Sequence, residues 1–371
     1  MSYTGRLFRY RKIYDTEASG DLFAAAMREN ALFQYKNCPD YKRILDERKF
    51  DPAGIKKPGD LDRLPFIPTL YFKHHDLFAV PEKKMLIKAT SSGTGGKMSR
   101  VGFDLKTMRH GAKMIINVGR YHKLWSLKPV SYIIFGYRPT KTNKTAVSKT
   151  AYGFTFFAPA LSRTFALDLT KDGYELSWDR VLNALDKASR SPFPMRTIGF
   201  PAYTYFLLRD MKAKGIKYQM PKGSMLTLGG GWKQFYTEQI DKKDFYKLVD
   251  EVLGIKEDKI IEFFGAVEHP ILYTDCRCHR FHVPVYSRVV IRDPDTMEAL
   301  PYGRPGLINL MTPLMNTGPL LSIMTDDIGI LHNDRCECGA PSPWLEIIGR
   351  VGIKDVITCA QGSEEYLEEG S

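Results

Sequence analysis

A chain of 371 residues, 43% apolar and 12% aromatic, can bury a large core and build two or three structural units. It contains no run of about 18 apolar residues, which argues against a membrane-spanning helix. The net charge of +12 suits anionic partners, but the basic residues are dispersed and show no helix-turn-helix or zinc-finger spacing. No specific nucleic-acid binding is therefore expected. A basic surface serves ATP, coenzyme A or an acidic carrier protein equally well. The opening Met1-Ser2-Tyr3-Thr4-Gly5-Arg6 lacks the apolar core of a signal peptide, so a cytoplasmic protein is expected.

The segment to about Phe50 reads as helical, with Leu22, Phe23, Ala26, Met27, Leu32 and Phe33 at helical spacing. From Ile67 the pattern alternates. Leu86 to Thr90 is a strand, Leu105 to Leu124 a helix, Val130 to Gly136 a buried strand and Trp178 to Ala188 a helix. Arg196 to Gly199 and Ser224 to Leu228 are short strands flanking a helix near Ala202 to Lys214. Lys242 to Leu253 is a helix and Ile260 to Phe264 a strand. This alternation predicts an α/β sheet with helices on its faces. After Ile271 the texture turns β-rich, with Val285 to Arg292, Leu307 to Met311 and Leu320 to Met324 separated by Pro/Gly turns. The expected organisation is a helical segment over 1–60, an α/β nucleotide- and acyl-binding core over 61–270, a β-rich subdomain over 271–349 and a short C-terminal remnant over 350–371.

Glycine-rich loops stand at the strand ends. The densest is Thr90-Ser91-Ser92-Gly93-Thr94-Gly95-Gly96-Lys97-Met98-Ser99, whose hydroxyls, glycines and lysine suit a polyphosphate. A Walker loop is excluded, because Ser91 occupies the place of its first glycine and Met98 stands where Ser or Thr should follow the lysine. Gly229-Gly230-Gly231-Trp232-Lys233 and Phe263-Phe264-Gly265-Ala266-Val267-Glu268-His269-Pro270 follow strands, where α/β proteins bind ligands. Thr325-Asp326-Asp327 closes an apolar run and also fits a turn after a strand. Gly349-Arg350 comes next.

This order of motifs resembles the adenylate-forming superfamily of acyl- and aryl-CoA ligases. Within it the chain is most similar to the acyl-protein synthetase family, the LuxE type of bacterial luminescence operons, and also looks like phenylacetate–CoA ligases. The resemblance covers about residues 60 to 360. It is carried by Leu64-Pro65-Phe66-Ile67-Pro68 with Phe72-Lys73, the serine/glycine loop, Gly229 to Lys233, Glu268-His269-Pro270 and Arg280 to Pro284. Arg292-Asp293-Pro294, Thr325-Asp326-Asp327, Cys336-Glu337-Cys338-Gly339 and Gly349-Arg350 complete it. It implies a large adenylate-forming N-terminal domain with a β-rich subdomain. It also implies the reaction: a carboxylate attacks the α-phosphate of ATP, pyrophosphate leaves, and a thiol takes the acyl group. In the LuxE type the thiol is the enzyme's own cysteine, and the acyl group passes to a reductase.

Roles follow from the same resemblance. Ser91, Ser92, Gly93, Thr94, Gly95, Gly96 and Lys97 would hold the β- and γ-phosphates. Glu268 would bind Mg²⁺. Gly229, Gly230 and Gly231 would line the nucleotide and acyl site, with Phe264 and Gly265 beside the adenine. Asp327 would accept hydrogen bonds from the ribose, and Arg350 would contact ribose or phosphate. Cys359 is the candidate acyl carrier, its alternative an idle thiol near the terminus. Val267 replaces the threonine many members carry. Typical members also bear a C-terminal domain of about 100 residues with a lysine for adenylation. Lys354 does not fit that lysine's place, which leaves Lys97, Lys233 or a partner to supply the charge.

Two Cys-x-Cys pairs, Cys276/Cys278 and Cys336/Cys338, lie near His279 and His282. Cys276, His282, Cys336 and Cys338 would make a Cys₃His structural zinc site, with Cys278 and His279 as alternative ligands and buried free thiols as the other reading. The expected function is ATP- and Mg²⁺-dependent activation of a small carboxylic acid, a fatty acid on the family resemblance, with an acyl reductase or acyl carrier protein as partner. Coenzyme A as acceptor, or an inactive scaffold of the same fold, remain the alternatives.

Overall fold

The computed structural model describes residues 1–90, 99–137, 146–170, 173–232 and 238–350. The chain forms two compact units. The first comprises Met1–Asn117, Ala266–Tyr273 and the chain from Arg280 onward; the second comprises Val118–Gly265 and Thr274–His279.

The first unit begins with helices α1 (Tyr3–Leu7), α2 (Gly20–Asn37) and α3 (Pro39–Glu47). Ser2 caps α1 by accepting from the Gly5 N–H, and Pro39 stands at the first turn of α3, where its missing N–H costs nothing. Short strand β1 (Ile67–Pro68), helix α4 (Tyr71–His74) and the antiparallel pair β2 (Ile87–Thr90) and β3 (Arg100–Phe103) follow. Helix α5 (Leu105–Tyr121) then leads the chain into the second unit.

In the second unit the chain runs β4 (Val130–Tyr137), α6 (Ala146–Phe154), β5 (Ala160–Thr170), β6 (Gly173–Leu176), α7 (Trp178–Ser189) and β7 (Met195–Gly199). It continues through α8 (Pro201–Ala213), β8 (Met225–Gly229), α9 (Lys242–Leu253), β9 (Ile260–Phe264) and β10 (Tyr273–Thr274). The sheet order is β10-β9-β8-β7-β4-β5-β6. Pairings from β9 through β5 are parallel, and β6 adds an antiparallel edge. Ile133 and Phe135 of β4 join one apolar core with Val181 and Leu185 of α7, Leu207 and Met211 of α8, and Val249 and Val252 of α9. Gly136 has the opposite parity in β4, and a Cβ placed there would lie 4.0 Å from the Ala151 Cβ of α6. Helices therefore cover both faces of the sheet, as a buried parallel sheet requires.

Strand β4 is continued by β5 on one side, whereas β7 pairs on its other side. This reversal is a topological switch point, and ligands of open α/β sheets bind beyond the carboxyl ends of the strands there. The sequence pattern shows no strand between Gly136 and Trp178, yet β5 is eleven residues long.

Back in the first unit the chain forms β11 (Phe281–His282), β12 (Arg288–Arg292), β13 (Pro305–Met311), β14 (Ser322–His332) and β15 (Trp344–Arg350). The sheet order is β11-β15-β14-β13-β12, all antiparallel, with β1 joining β14 in parallel. The buried side chain of Asn30 in α2 donates to the carbonyls of Pro313 (2.8 Å) and Met315 (2.7 Å), so α2 grips the turn before β14. Among the described residues no helix is long and apolar enough to cross a membrane.

Candidate active site and metal-binding cluster

In the second unit, the carboxyl ends of β7, β8 and β9 are Gly199, Gly229 and Phe264-Gly265. A Cβ on Gly199 would lie 2.3 Å from the Phe135 Cβ and 2.5 Å from the Phe135 carbonyl oxygen, so only glycine lets β7 lie this close to β4 at the switch point. Beyond β8, Gly230 (φ 82°) and Gly231 (φ 66°) turn the chain through the left-handed region. Trp232 is buried there against Tyr205, ring centroids 5.5 Å apart. At the end of β9, Phe263 packs on Phe154 at 4.3 Å, and Phe264, one residue on, takes the other face and is half-buried.

In the first unit, Glu268 is buried, at 6% exposure, and its carboxylate pairs with no other described residue. A carboxylate with no ion pair to a described residue can take a cation brought by a ligand. The donor is a hard oxygen, as Mg²⁺ requires. The next residue explains how the turn is held. The Ser287 hydroxyl donates to the Met311 carbonyl (3.0 Å), and its lone pairs meet the Tyr273 hydroxyl (2.6 Å) and His269 Nε2 (3.0 Å). With its proton committed to Met311, Ser287 accepts from both neighbours, so His269 carries its proton on Nε2. His269 Nδ1 is buried with no hydrogen-bond partner, and burial pushes the ring's pKa down to about 3, so it stays neutral. In the sequence His269 stands within a motif but has no evident role, and Ser287 carries no signal at all.

Thr325, Asp326 and Asp327 do not form a turn after a strand. They lie in the middle of β14, where three residues oppose Ile308 alone between the pairs Asn309↔Met324 and Leu307↔Ile328. This is a β-bulge, fastened by the Thr325 hydroxyl to the Ile308 carbonyl at 3.0 Å. Bulges re-aim side chains and are common beside active sites. Asp327 pairs in register with Arg350 across β14 and β15. The Arg350 guanidinium reaches Asp326 Oδ2 at 3.4 Å and Asp327 Oδ1 at 3.9 Å. Asp327, expected to hold the ribose, and Arg350, expected to contact ribose or phosphate, are thus cross-strand neighbours.

Within the first unit, His282, Cys336 and Cys338 bring three ligand atoms within 4.8 Å of one another, while Cys276 belongs to the second unit. His282 Nε2 lies 3.3 Å from Cys338 Sγ, while its Nδ1 faces the Ser342 carbonyl at 3.0 Å. Metal-bound histidines commonly present their second nitrogen to such a carbonyl. Backbone N–H groups two residues on, from Cys278 and Ala340, donate to the sulfurs of Cys276 and Cys338 at 3.4 Å each, which favours thiolates. Two sulfurs and a nitrogen are soft and borderline donors of the kind a structural zinc takes. His279 is engaged elsewhere, with its Nδ1 2.8 Å from the buried Asp275 carboxylate. Ser91 to Lys97, Lys233, Lys354 and Cys359 lie outside the described residues.

Comparison with known proteins matches the acyl-protein synthetase, LuxE, family over residues 12–367. The chain belongs to the LuxE family of acyl-protein synthetases. It is 26% identical over 347 residues to the long-chain-fatty-acid–luciferin-component ligase of Aliivibrio fischeri, covering 92% of this chain and 88% of the relative. The Vibrio harveyi ligase of the same name is 24% identical over 330 residues, covering 88% and 83%. A phenylacetate-coenzyme A ligase of Thermus thermophilus is 27% identical over 326 residues, covering 84% of this chain and 66% of the relative. Among solved structures, an open conformation of 2-hydroxyisobutyryl-CoA ligase in complex with 2-HIB-AMP and CoA superposes with a TM-score of 0.69 at 18% identity. It covers 93% of this chain and 79% of that one. The LuxE-family chain therefore has the fold of adenylate-forming ligases.

Proposed function

We propose that this protein is an adenylate-forming ligase that activates a long-chain fatty acid with ATP and passes the acyl group to the thiol of Cys359. The family match over residues 12–367 carries the proposal. Support from the geometry comes from the glycine-lined strand ends, the buried residue Glu268 and the pairing of Arg350 with Asp327 of the bulge. The two relatives named as long-chain-fatty-acid–luciferin-component ligases favour a fatty acid.

In the proposed first step a carboxylate oxygen of the acid attacks the α-phosphorus of ATP. The bond to the bridging oxygen breaks, and pyrophosphate leaves with the electron pair. The serine/glycine loop with Lys97 would hold the departing phosphates, and Asp327 and Arg350 the ribose. Mg²⁺ bound through Glu268 would supply charge neutralisation on the phosphates. In the second step the Cys359 thiolate attacks the acyl carbonyl, and AMP leaves carrying the phosphate charge. The thioester keeps the acyl group activated for a reductase or carrier. The Cys₃His cluster is proposed as a structural zinc site. The relatives named as phenylacetate-coenzyme A ligases favour a second reading, in which coenzyme A is the acceptor.

Intact-protein mass spectrometry after incubation with Mg²⁺-ATP and a panel of fatty and aryl acids tests the proposal. A gain of one acyl group, removed by hydroxylamine and absent in Cys359→Ser, is the expected result. Adenylate without a protein adduct moves the acceptor to an external thiol. Absence of adenylate with every acid refutes the activity.

A further inference from the structure

Lys106, Arg109, His110 and Lys113 recur at helical spacing on α5 and so lie on one stripe of the helix. With Arg9 they line a hollow of 290 Å³ that has no acidic residue in its wall. Among the described residues no ion pair joins Arg9, Lys106, Arg109 or Lys113 to a carboxylate. Four like charges around one hollow repel each other, and nothing in the wall offsets them.

His110 supplies the second observation. It is 7% exposed and stacks on Phe8 with ring centroids 5.4 Å apart. Phe8 in turn stacks on Tyr286 at 5.0 Å, so the imidazole is held rigidly. The ring borders both this hollow and a neighbouring one of 270 Å³ that reaches Glu29 and Asn316. Its Nδ1 is buried without a hydrogen-bond partner. Asp104 is the nearby acid on α5's approach, and it is engaged by the Thr107 N–H (2.8 Å) and Asn316 Nδ2 (3.0 Å).

We propose that this hollow binds a phosphate-bearing small molecule, held by Arg9, Lys106, Arg109 and Lys113 with His110 as its floor. Phosphate is favoured over carboxylate because four cations call for a multivalent anion, and guanidinium forks match phosphate oxygens. None of these residues belongs to the proposed ATP site, so this inference stands or falls separately from the acyl-activation reading.

The test is NMR of the full-length protein carrying ¹³C-labelled histidine, with the His110 resonance assigned by His110→Gln. Inorganic pyrophosphate, the phosphomonoester O-phosphoserine and citrate are titrated in turn. The His110 resonance is expected to move saturably with at least one phosphate compound, and the tighter of the two distinguishes a polyphosphate from a phosphate ester. In Lys106→Ala/Arg109→Ala the same titration should weaken by about tenfold or more, with the other histidine resonances unchanged as a sign of an intact fold. A His110 resonance that ignores both phosphates into the millimolar range overturns the proposal. So does an equal response to citrate, or undiminished binding by the double variant.

Discussion

Ser287→Ala should destabilise the protein by about 3 kcal/mol, since it removes three buried hydrogen bonds, each worth roughly 1 kcal/mol net. Those bonds run to Met311, Tyr273 and His269, and all four residues are buried. The loss is sharpened because the His269 Nε2–H loses its acceptor, and a buried donor cannot turn to water. Urea unfolding followed by circular dichroism measures it, with an unchanged m-value showing that the transition is the same one. A cycle with Tyr273→Phe should return a coupling of about 1 kcal/mol or more. Because His269 adjoins Glu268, the variant should also raise the Mg²⁺-ATP concentration needed for ATP–pyrophosphate exchange. A stability loss below about 0.5 kcal/mol would mean that the network is not formed as described.

Acid should expose the neutral state of His269. Its folded pKa of about 3 lies below the ordinary value of 6.5, so the unfolded chain binds the extra proton between those values. Stability therefore rises with pH across that window, and lowering the pH from 7 to 5 should cost roughly 2 kcal/mol. His269→Asn should flatten this slope in urea titrations at several pH values. Gly199→Ala should cost about 1–3 kcal/mol through overpacking against Phe135, and a thermal midpoint equal to that of the parent would contradict the close approach of β7 and β4. Metal analysis should find roughly one zinc per chain, and stripping it with a chelator should lower the thermal midpoint. Cys338→Ser should do the same, whereas metal-free protein of unchanged stability would remove the structural role.

Long periodic segments were legible in the sequence. The helix expected over Lys242 to Leu253 and the strand over Ile260 to Phe264 coincide with α9 and β9. Strand β5 was not legible, because Arg163 and Asp168 interrupt its apolar pattern. Only the structure shows where those charges go: Arg163 donates to the Thr155 hydroxyl, and Asp168 pairs with Arg180. The expected strand over Leu320 to Met324 stopped short because Asp326-Asp327 looks like a turn. What extends it is a bulge, and a bulge depends on the partner strand, which local sequence does not contain. The same limit hid Ser287, whose contacts lie in Met311, Tyr273 and His269. By contrast, Glu268, Asp327 and Arg350 were singled out through the family resemblance, and the structure adds the pairing of the last two.

The interruption of the first unit by the second has a consequence for how the chain is made. Asn30 binds carbonyls 283 and 285 residues further along, so its donors find no lasting partner until nearly all of the described chain has been synthesised. The inserted unit is built from strand–helix–strand repeats with short connections and can close early, whereas the outer sheet must wait for β13 and β14. Pulse-labelled hydrogen exchange during refolding should protect the amides of β7 and β8 before those of β13 and β14. Until then the buried amide of Asn30 lacks the carbonyls of Pro313 and Met315 that it binds in the finished fold, so the docking of α2 is completed only when the turn before β14 arrives.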